Sequence, residues 1–280
     1  MITSTSNQQV KNLIQLQKKA KARREQQLYV VEGIRMFREA PARQIAQIYV
    51  SESFYRDSEH KALLEEKQRE IRIGGENVSS DGRGIRMEVL SDHVFAHVSD
   101  TQTPQGVLCL MKMPGYGLEQ LLQEHRGGLW LVLENVQDPG NLGTMFRTGE
   151  GAGIAGVIMD ASTVDIFNPK TIRSTMGAIY RVPFVISRDL QEAVRTLQHH
   201  EVKVYAAHLE GSVCYDIPDY CAGSAFLIGN EGNGLTAELT ACADTYIRIP
   251  MGGRLESLNA AMAAGILMYE ANRQRRTMHR

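Results

Sequence analysis

Three segments of the chain place glycines beside polar side chains directly after an apolar run. They are LWLVLENVQDPGNLGTMFRTGEGAG (residues 129–153), FLIGNEGNGL (residues 226–235) and IPMGGRLESLNAAMAAGILMYE (residues 249–270). An apolar run followed by glycine predicts a strand that ends in a loop. Ligands usually bind where loops leave the carboxyl ends of strands in an α/β sheet. The three segments therefore predict one composite site, and an enzyme, in the second half of the chain.

The polar residues of these segments carry the groups that could do chemistry. Five of them are candidate site residues: Asn141, Arg147, Glu231, Ser257 and Asn259.

Several of these residues also have a purely structural interpretation. Arg147 could pair with Glu150 or Glu134, and Ser257 could cap a last helix that begins near it. Asn259, just inside that helix, has a poor helix propensity, which favours a task for its side chain.

Two glycine patterns resemble nucleotide-binding motifs without meeting their requirements. Residues 151–156 read GxGxxG, but they end a predicted helix and lead into a strand, which is the reverse of a dinucleotide fingerprint. Residues 229–234 (GNEGNG) lack the Lys-Ser/Thr pair of a P-loop. This second loop suits a ligand that backbone groups hold. Glu231, in its middle, either caps the helix that follows or belongs to the site.

Composition narrows the class of protein. The chain has 280 residues and a net charge of −1, and no apolar run approaches the roughly 20 residues that span a bilayer. Its polar, basic start lacks the apolar stretch of a secretory signal, so we expect a cytoplasmic protein without membrane contact. The four cysteines are widely spaced, and neither HExxH nor GxSxG occurs, so we expect no metal and no serine hydrolase.

Basic residues concentrate at the two ends of the chain. Residues 1–43 hold nine lysines and arginines against three acidic residues, and four arginines follow residue 272. This pattern predicts a local phosphate-binding surface, with a solvated helix face and a frayed tail as the alternative.

Hydrophobic periodicity predicts an α/β protein of two units. The first, residues 1–112, is a smaller mixed α/β domain that begins with one helix over residues 7–27. Residues 113–127 form a linker with a short helix, and residues 128–280 form a mostly parallel sheet with covering helices.

The three glycine segments resemble, in order and spacing, the three motifs of the SpoU (TrmH) branch of the SPOUT RNA methyltransferases. The match runs over residues 129–272 and includes the intermediate segment FNPKTIRSTMGAIYRVP. In the first unit, LYVVEGIRMFREA and SDTQTPQGVL resemble the family's L30e-like substrate-binding domain, although these motifs are less specific.

The resemblance implies transfer of a methyl group from S-adenosylmethionine to a ribose 2′-hydroxyl of structured RNA, 23S rRNA rather than tRNA. It also implies a homodimer and a deep trefoil knot in the second unit. Three alternatives stay open: a tRNA ribose methyltransferase, a base methyltransferase of the same superfamily, and a non-catalytic RNA-binding or ribosome-assembly factor.

The resemblance also implies roles for individual residues. Arg147 matches the family's motif-one arginine, and we expect it to fix the target phosphate and stabilise the developing alkoxide, with the other four candidates orienting it and the cofactor. The residues expected to hold the cofactor are Ala207, His208, Gly211, Gly229, Ile249, Met251 and Leu258.

Overall fold

Short runs rich in β-branched and aromatic residues form the strands of a four-stranded sheet near the start of the chain. The computed structural model describes residues 1–73, 85–208 and 213–278. In the sheet order β1-β4-β2-β3, β4 is antiparallel to β1 and β2, whereas β2 and β3 are parallel. The sheet therefore combines parallel and antiparallel neighbours, and with its helices it forms the expected mixed α/β unit. Its strands are β1 (Leu28–Glu32), β2 (Ile45–Ser51), β3 (Arg86–Leu90) and β4 (Val107–Lys112).

Six helices accompany this sheet: α1 (Gln8–Lys18), α2 (Ala20–Gln26), α3 (Ile34–Glu39), α4 (Glu52–Arg56), α5 (Ser58–Ile73) and α6 (Asp92–Val98). The single helix predicted over residues 7–27 is wrong, because Lys19 is extended and separates α1 from α2. The buried Arg23 donates to the carbonyls of Leu16 and Gln17, so a side chain satisfies the end of α1 where the helix stops.

The remaining elements alternate along the chain as βαβ units do. The strands are β5 (Leu129–Leu133), β6 (Gly156–Asp160), β7 (Phe184–Ser187), β8 (Lys203–Ala207), β9 (Val213–Cys214), β10 (Ser224–Ile228) and β11 (Thr245–Arg248). The helices are α7 (Leu118–Glu124), α8 (Pro139–Ala152), α9 (Pro169–Thr175), α10 (Leu190–His199), α11 (Ala237–Thr240) and α12 (Ala260–Met278).

The seven strands form one sheet in the order β7-β6-β5-β10-β8-β11-β9, in which every neighbouring pair is parallel. All residues of β5 and β10 are buried, as expected for central strands of a parallel sheet covered on both faces. The predicted α/β architecture with a parallel-dominated sheet is confirmed.

Contacts divide the chain into two compact units. The first holds Met1–Pro114 together with Phe167–Tyr180, and the second holds Gly115–Ile166 with Arg181–Arg280. That the chain folds as two independent domains, with limits at residues 112 and 127, stays a prediction.

The segment Phe167–Tyr180, which includes α9, is part of the first unit's packing. The ring of Phe167 lies 4.7 Å from that of Tyr29 on β1, and the Tyr180 hydroxyl donates to the carbonyl of Met36 at 3.2 Å. Arg173 forms an ion pair with Asp100 at 2.6 Å. A stretch far along the sequence thus completes the first unit.

Helix α8 is held against the last helix, α12, by small residues. A Cβ added at Gly149 would lie 3.5 Å from the sulfur of Met268 on α12, and one at Gly265 would lie 3.4 Å from the Thr148 methyl group. The side-chain amide of Asn272 donates to the carbonyl of Ala152 at the end of α8. Gly153 then caps α8 with φ +75°, which confirms that the GxGxxG pattern is a helix-to-strand turn.

Within the described ranges, no helix has both the length and the apolar composition needed to cross a membrane.

Candidate active site

The carboxyl ends of three neighbouring strands, β10, β8 and β11, bring together the residues expected to hold a cofactor. Gly229 follows β10, Ala207 ends β8 with His208 directly after it, and Ile249 follows β11. All four are half-buried, which leaves them accessible to a ligand at this edge of the sheet. This is the position at which parallel sheets usually bind ligands.

Gly229 begins a loop that closes tightly on itself. The backbone groups of Asn230 and Gly234 exchange two hydrogen bonds, of 3.0 and 2.9 Å. A Cβ at position 229 would lie 2.1 Å from the carbonyl carbon of Gly234, closer than any side-chain atom can approach backbone. Only glycine fits there, and its exposed backbone suits a ligand that peptide groups recognise.

Two further contacts fasten this loop to the loop after β5. The Glu134 carboxylate accepts hydrogen bonds of 2.7 Å from both the amide and the hydroxyl of Thr236. The side-chain amide of Asn230 donates at 2.8 Å to the carbonyl of Asn135, a residue with φ +53°.

Glu231 makes the third and most extensive connection between the two loops. Its carboxylate accepts hydrogen bonds of 3.0 Å from the amides of Gln137 and Asp138 and from the Asn141 side chain. Partial burial raises its pKa, but these hydrogen bonds outweigh burial and hold the pKa below its usual value. The alternative in which Glu231 caps the following helix is wrong, because Thr236 caps α11.

Asn141 links Glu231 to the third glycine segment, residues 249–270. Its side-chain oxygen accepts a 3.0 Å hydrogen bond from the Asn259 amide, whose own oxygen accepts from the backbone of Ala261 and Met262. A carboxylate can only accept hydrogen bonds, so the Nδ2 atom of Asn141 must face Glu231. The Oδ1 atom of Asn141 is then the acceptor that faces the Nδ2 donor of Asn259. Glu231, Asn141 and Asn259 form one hydrogen-bonded chain, hereafter the Glu-Asn-Asn chain.

Arg147 lies on α8, six residues after Asn141, and is exposed. Both of its structural alternatives are wrong, because Glu150 pairs with Arg181 and Glu134 binds Thr236. Across residues 1–73, 85–208 and 213–278, its guanidinium makes no hydrogen bond or ion pair, so it can receive an anionic group.

The segment between β11 and α12 holds the remaining predicted residues. Met251 and Leu258 are half-buried, whereas Ser257 is exposed and makes no hydrogen bond within the described residues. The helix begins at Ala260 with Asn259 as its N-cap, so the expectation that Ser257 caps it is wrong. Gly211 falls outside the described residues.

Asp160, at the end of β6, is a site-supporting residue that sequence reasoning missed. Its Oδ1 atom accepts from the amide of Asn135 at 3.0 Å and from the amide and hydroxyl of Thr163, at 2.9 and 2.6 Å. Partial burial raises its pKa, but the hydrogen bonds outweigh this and lower it. The sequence could have indicated this residue, because Asp160 ends the predicted strand GVIMD and the carboxyl ends of such strands are where loops meet to form sites.

In the part of the chain that the structure describes, no group of three or more His, Cys, Asp or Glu residues could hold a metal ion.

Comparison with protein families matches both parts of the chain. A model described as "SpoU rRNA Methylase family" matches residues 128–269, and one described as "MRM3-like substrate binding domain" matches residues 7–109. The first match covers half of the chain. The chain belongs to the SpoU rRNA methylase family.

Two curated SpoU relatives have named substrates. The chain is 39% identical over 186 residues to 23S rRNA (guanosine(2553)-2′-O)-methyltransferase RlmP of Bacillus subtilis, covering 66% of this chain and 72% of the relative. It is 30% identical over 238 residues to 23S rRNA (guanosine-2′-O-)-methyltransferase RlmB of Xylella fastidiosa, covering 81% and 94%.

Solved structures of SpoU enzymes share the fold over nearly the whole chain. The AdoMet-bound rRNA methyltransferase from Sinorhizobium meliloti superposes with a TM-score of 0.82, at 31% identity and 97% coverage of both chains. The SpoU methyltransferase AviRb from Streptomyces viridochromogenes superposes with a TM-score of 0.83 at 22% identity, which speaks to the fold alone.

Replacing Glu231 with glutamine tests its part in the Glu-Asn-Asn chain. The glutamine oxygen can still accept from Asp138 and Asn141, but its NH2 group would then face the amide of Gln137, which is also a donor. We therefore expect the free energy of unfolding at pH 7 to fall by about 1–2 kcal/mol. Because the folded-state pKa is lowered, the carboxylate's contribution is present above the unfolded value near 4.5 and is lost as the pH falls through the folded value.

The measurement is denaturant unfolding followed by the fluorescence of Trp130, the chain's one tryptophan, which is buried in β5. Glu238→Gln, on an exposed position of α11, is the matched control and should have little effect. If the loss of unfolding free energy in Glu231→Gln were the same at pH 7 and pH 3, the proposed contribution of the ionised Glu231 carboxylate would be contradicted.

Proposed function

We propose that this protein transfers a methyl group from S-adenosylmethionine to a ribose 2′-hydroxyl of 23S rRNA. The observation that carries the proposal is the Glu-Asn-Asn chain. It links the three glycine loops at the carboxyl edge of the sheet, while the guanidinium of Arg147, on the same helix as Asn141, has no partner among the described residues. The named relatives methylate guanosines of 23S rRNA, which favours rRNA over tRNA.

The cofactor cradle that we propose comprises the half-buried ends of β8, β10 and β11. The residues there fit S-adenosylmethionine, because the Gly229 loop exposes peptide groups and because Ile249, Met251 and Leu258 offer apolar contacts. When bound, the sulfonium supplies a methyl group that is already a good electrophile. The protein therefore needs chiefly to align the acceptor oxygen and to ease loss of its proton.

Arg147 is the residue that we propose acts on the acceptor. A guanidinium keeps its proton at neutral pH, so it can hold the target phosphate and stabilise negative charge that develops on the ribose oxygen. Glu231 is a poor proton acceptor, since three donors occupy its carboxylate and its pKa is lowered. We assign Glu231, Asn141 and Asn259 to positioning, with Ser257 exposed on the segment before α12.

A homodimer is also part of the proposal. Met262 and Tyr269 of α12 are 59% and 49% exposed and lie two turns apart on one face of the helix. The Tyr269 hydroxyl lies over Gly151 of α8, so this apolar surface borders the helix that carries Arg147. Exposed apolar surface of this kind is typical of an interface between subunits.

We further propose a trefoil knot in the second unit and a cytoplasmic location, where ribosomes are assembled. A crystal structure of the protein would test the knot. Fractionation of cells followed by immunoblotting would test the location.

Arg147→Ala tests the catalytic proposal. We expect the rate of methyl transfer from labelled S-adenosylmethionine to total rRNA to fall about 10²- to 10³-fold, with cofactor affinity unchanged, because charge stabilisation at the reacting oxygen is lost. Arg195→Ala, an exposed arginine on α10, is the control. Nucleoside analysis should show the label in a 2′-O-methyl nucleoside, and label in tRNA alone would favour the tRNA alternative. Normal turnover by Arg147→Ala would overturn the role.

Gly229→Ala tests the cradle. The added Cβ must push the Gly234 backbone away, so we expect the Kd for S-adenosylmethionine, measured by calorimetry, to rise more than about tenfold, or 1.4 kcal/mol. Gly117→Ala, where an added Cβ meets nothing within 4 Å, is the matched control. Equal affinities of the two variants would place the cofactor elsewhere.

Met262→Asp and Tyr269→Asp test the dimer. Charge on this face should shift the protein from dimer to monomer in sedimentation velocity, because desolvating a carboxylate opposes association. Met278→Asp, at a 70% exposed position in the last turn of α12, should leave the dimer intact. A monomeric unmodified protein would refute the proposal.

A further inference from the structure

A cavity of about 390 Å³ opens in the first unit, apart from the residues discussed so far. Loops around α4 and α6 and the start of α5 form its walls, within the range matched by the substrate-binding family model. Its size falls in the range of small-molecule pockets. The lining residues that matter below are Phe54, Asp57, His60, Asp92, Ala96 and Gln105.

Two ionised carboxylates face this cavity. Asp92 accepts through Oδ1 from the amide and hydroxyl of Ser53, at 3.0 and 2.8 Å, and Asp57 accepts through Oδ1 from the amides of Glu59 and His60, at 2.9 and 3.0 Å. These bonds, led by the His60 amide for Asp57 and the Ser53 amide for Asp92, hold both pKa values below the usual range. Each Oδ2 atom can accept from a ligand.

An aromatic wall stands beside the carboxylates. The imidazole of His60 stacks on the ring of Phe54, with centroids 4.0 Å apart and planes 4° from parallel. Its Nδ1 atom is shielded from solvent and makes no hydrogen bond within the described residues; Asp57 Oδ1 is 3.5 Å away. The Gln105 side chain, whose oxygen accepts from the Ile34 amide, adds an amide group whose N–H donors have no partner in the part of the chain that the structure describes.

This combination selects a class of ligand. Two negative charges exclude a phosphate from the cavity and favour a group with adjacent N–H donors, while the flat wall favours a planar ring. Among RNA bases, guanine presents two adjacent donors, N1–H and N2–H, on its Watson–Crick edge, with an acceptor, O6, beside them for the amide of Gln105. The exposed Arg56, which pairs with Glu52 at 2.5 Å, and the exposed Lys61 flank Asp57 in sequence and can contact the phosphates on either side.

We propose that this cavity binds an unstacked guanine of the substrate RNA, distinct from the nucleotide that is methylated. The inference rests on the proposed function in that RNA is the substrate. It makes the first unit a reader of one base rather than of RNA shape alone.

The test uses the full chain and three labelled single-stranded pentanucleotides, AAGAA, AAAAA and the inosine form of AAGAA, with binding followed by fluorescence anisotropy. Since inosine lacks the N2 amine, we expect AAGAA to bind about tenfold more tightly than either. The resonance of the His60 imidazole should shift with AAGAA. Ala96→Trp fills the cavity from an exposed position on α6 and should abolish the preference. His97→Trp, the adjacent exposed position outside the cavity, should keep it.

Asp57→Asn tests the donor pattern. Asparagine still caps a helix but presents a donor where Oδ2 accepts, so the preference for guanine should vanish while stability is kept. Equal binding of the three oligonucleotides would overturn the proposal. So would a His60 shift caused by a diarginine peptide but not by AAGAA, since that would assign the cavity to a protein cation. Guanine-selective binding without methyl transfer to rRNA would uphold this site and refute the proposed activity, so the two failures are distinguishable.

Discussion

The arrangement of the candidate site depends on one carboxylate. Glu231 extends from the loop after β10 and accepts the two amides at the start of α8 together with the Asn141 side chain. Through Asn141 and Asn259 the same connection reaches the N-cap of α12, which packs on α8 through Gly149 and Gly265. Loops that are far apart in sequence thereby share one rigid frame. Arg147, on α8, is positioned by these contacts because they hold the helix against the loops.

Much of the fold could be predicted from sequence, because apolar runs such as LWLVL and SAFLI occur where a strand is covered on both faces. Periodicity could not reveal the break at Lys19, since a buried arginine that caps α1 from the next helix is a tertiary contact. For the same reason the start of α12 was misplaced: Ser257 and Asn259 are both good capping residues, and only the structure shows that Asn259 has that role.

The polar site residues were predictable as a set but not as a network. Resemblance to known motifs selected Asn141, Glu231 and Asn259, yet their order of contact depends on three loops meeting in space. Asp160 was missed because an aspartate at the end of a strand is common. Its hydrogen bond from the Asn135 amide forms only because β5 and β6 are neighbours in the sheet. The proposed role of Arg147 followed from its motif, whereas only the structure shows that none of the acidic residues it describes pairs with this arginine.

The segment Phe167–Tyr180 limits how proteins of this design can diversify. It lies inside the stretch matched by the methylase family, yet its rings and its ion pair belong to the packing of the first unit. A recombination event at a single point near residue 112 would separate Tyr29 and Asp100 from the partners they now have. Exchange of the first unit between such enzymes therefore requires two coordinated sequence changes. The gene segments that encode the two units are less separable than the two family matches suggest.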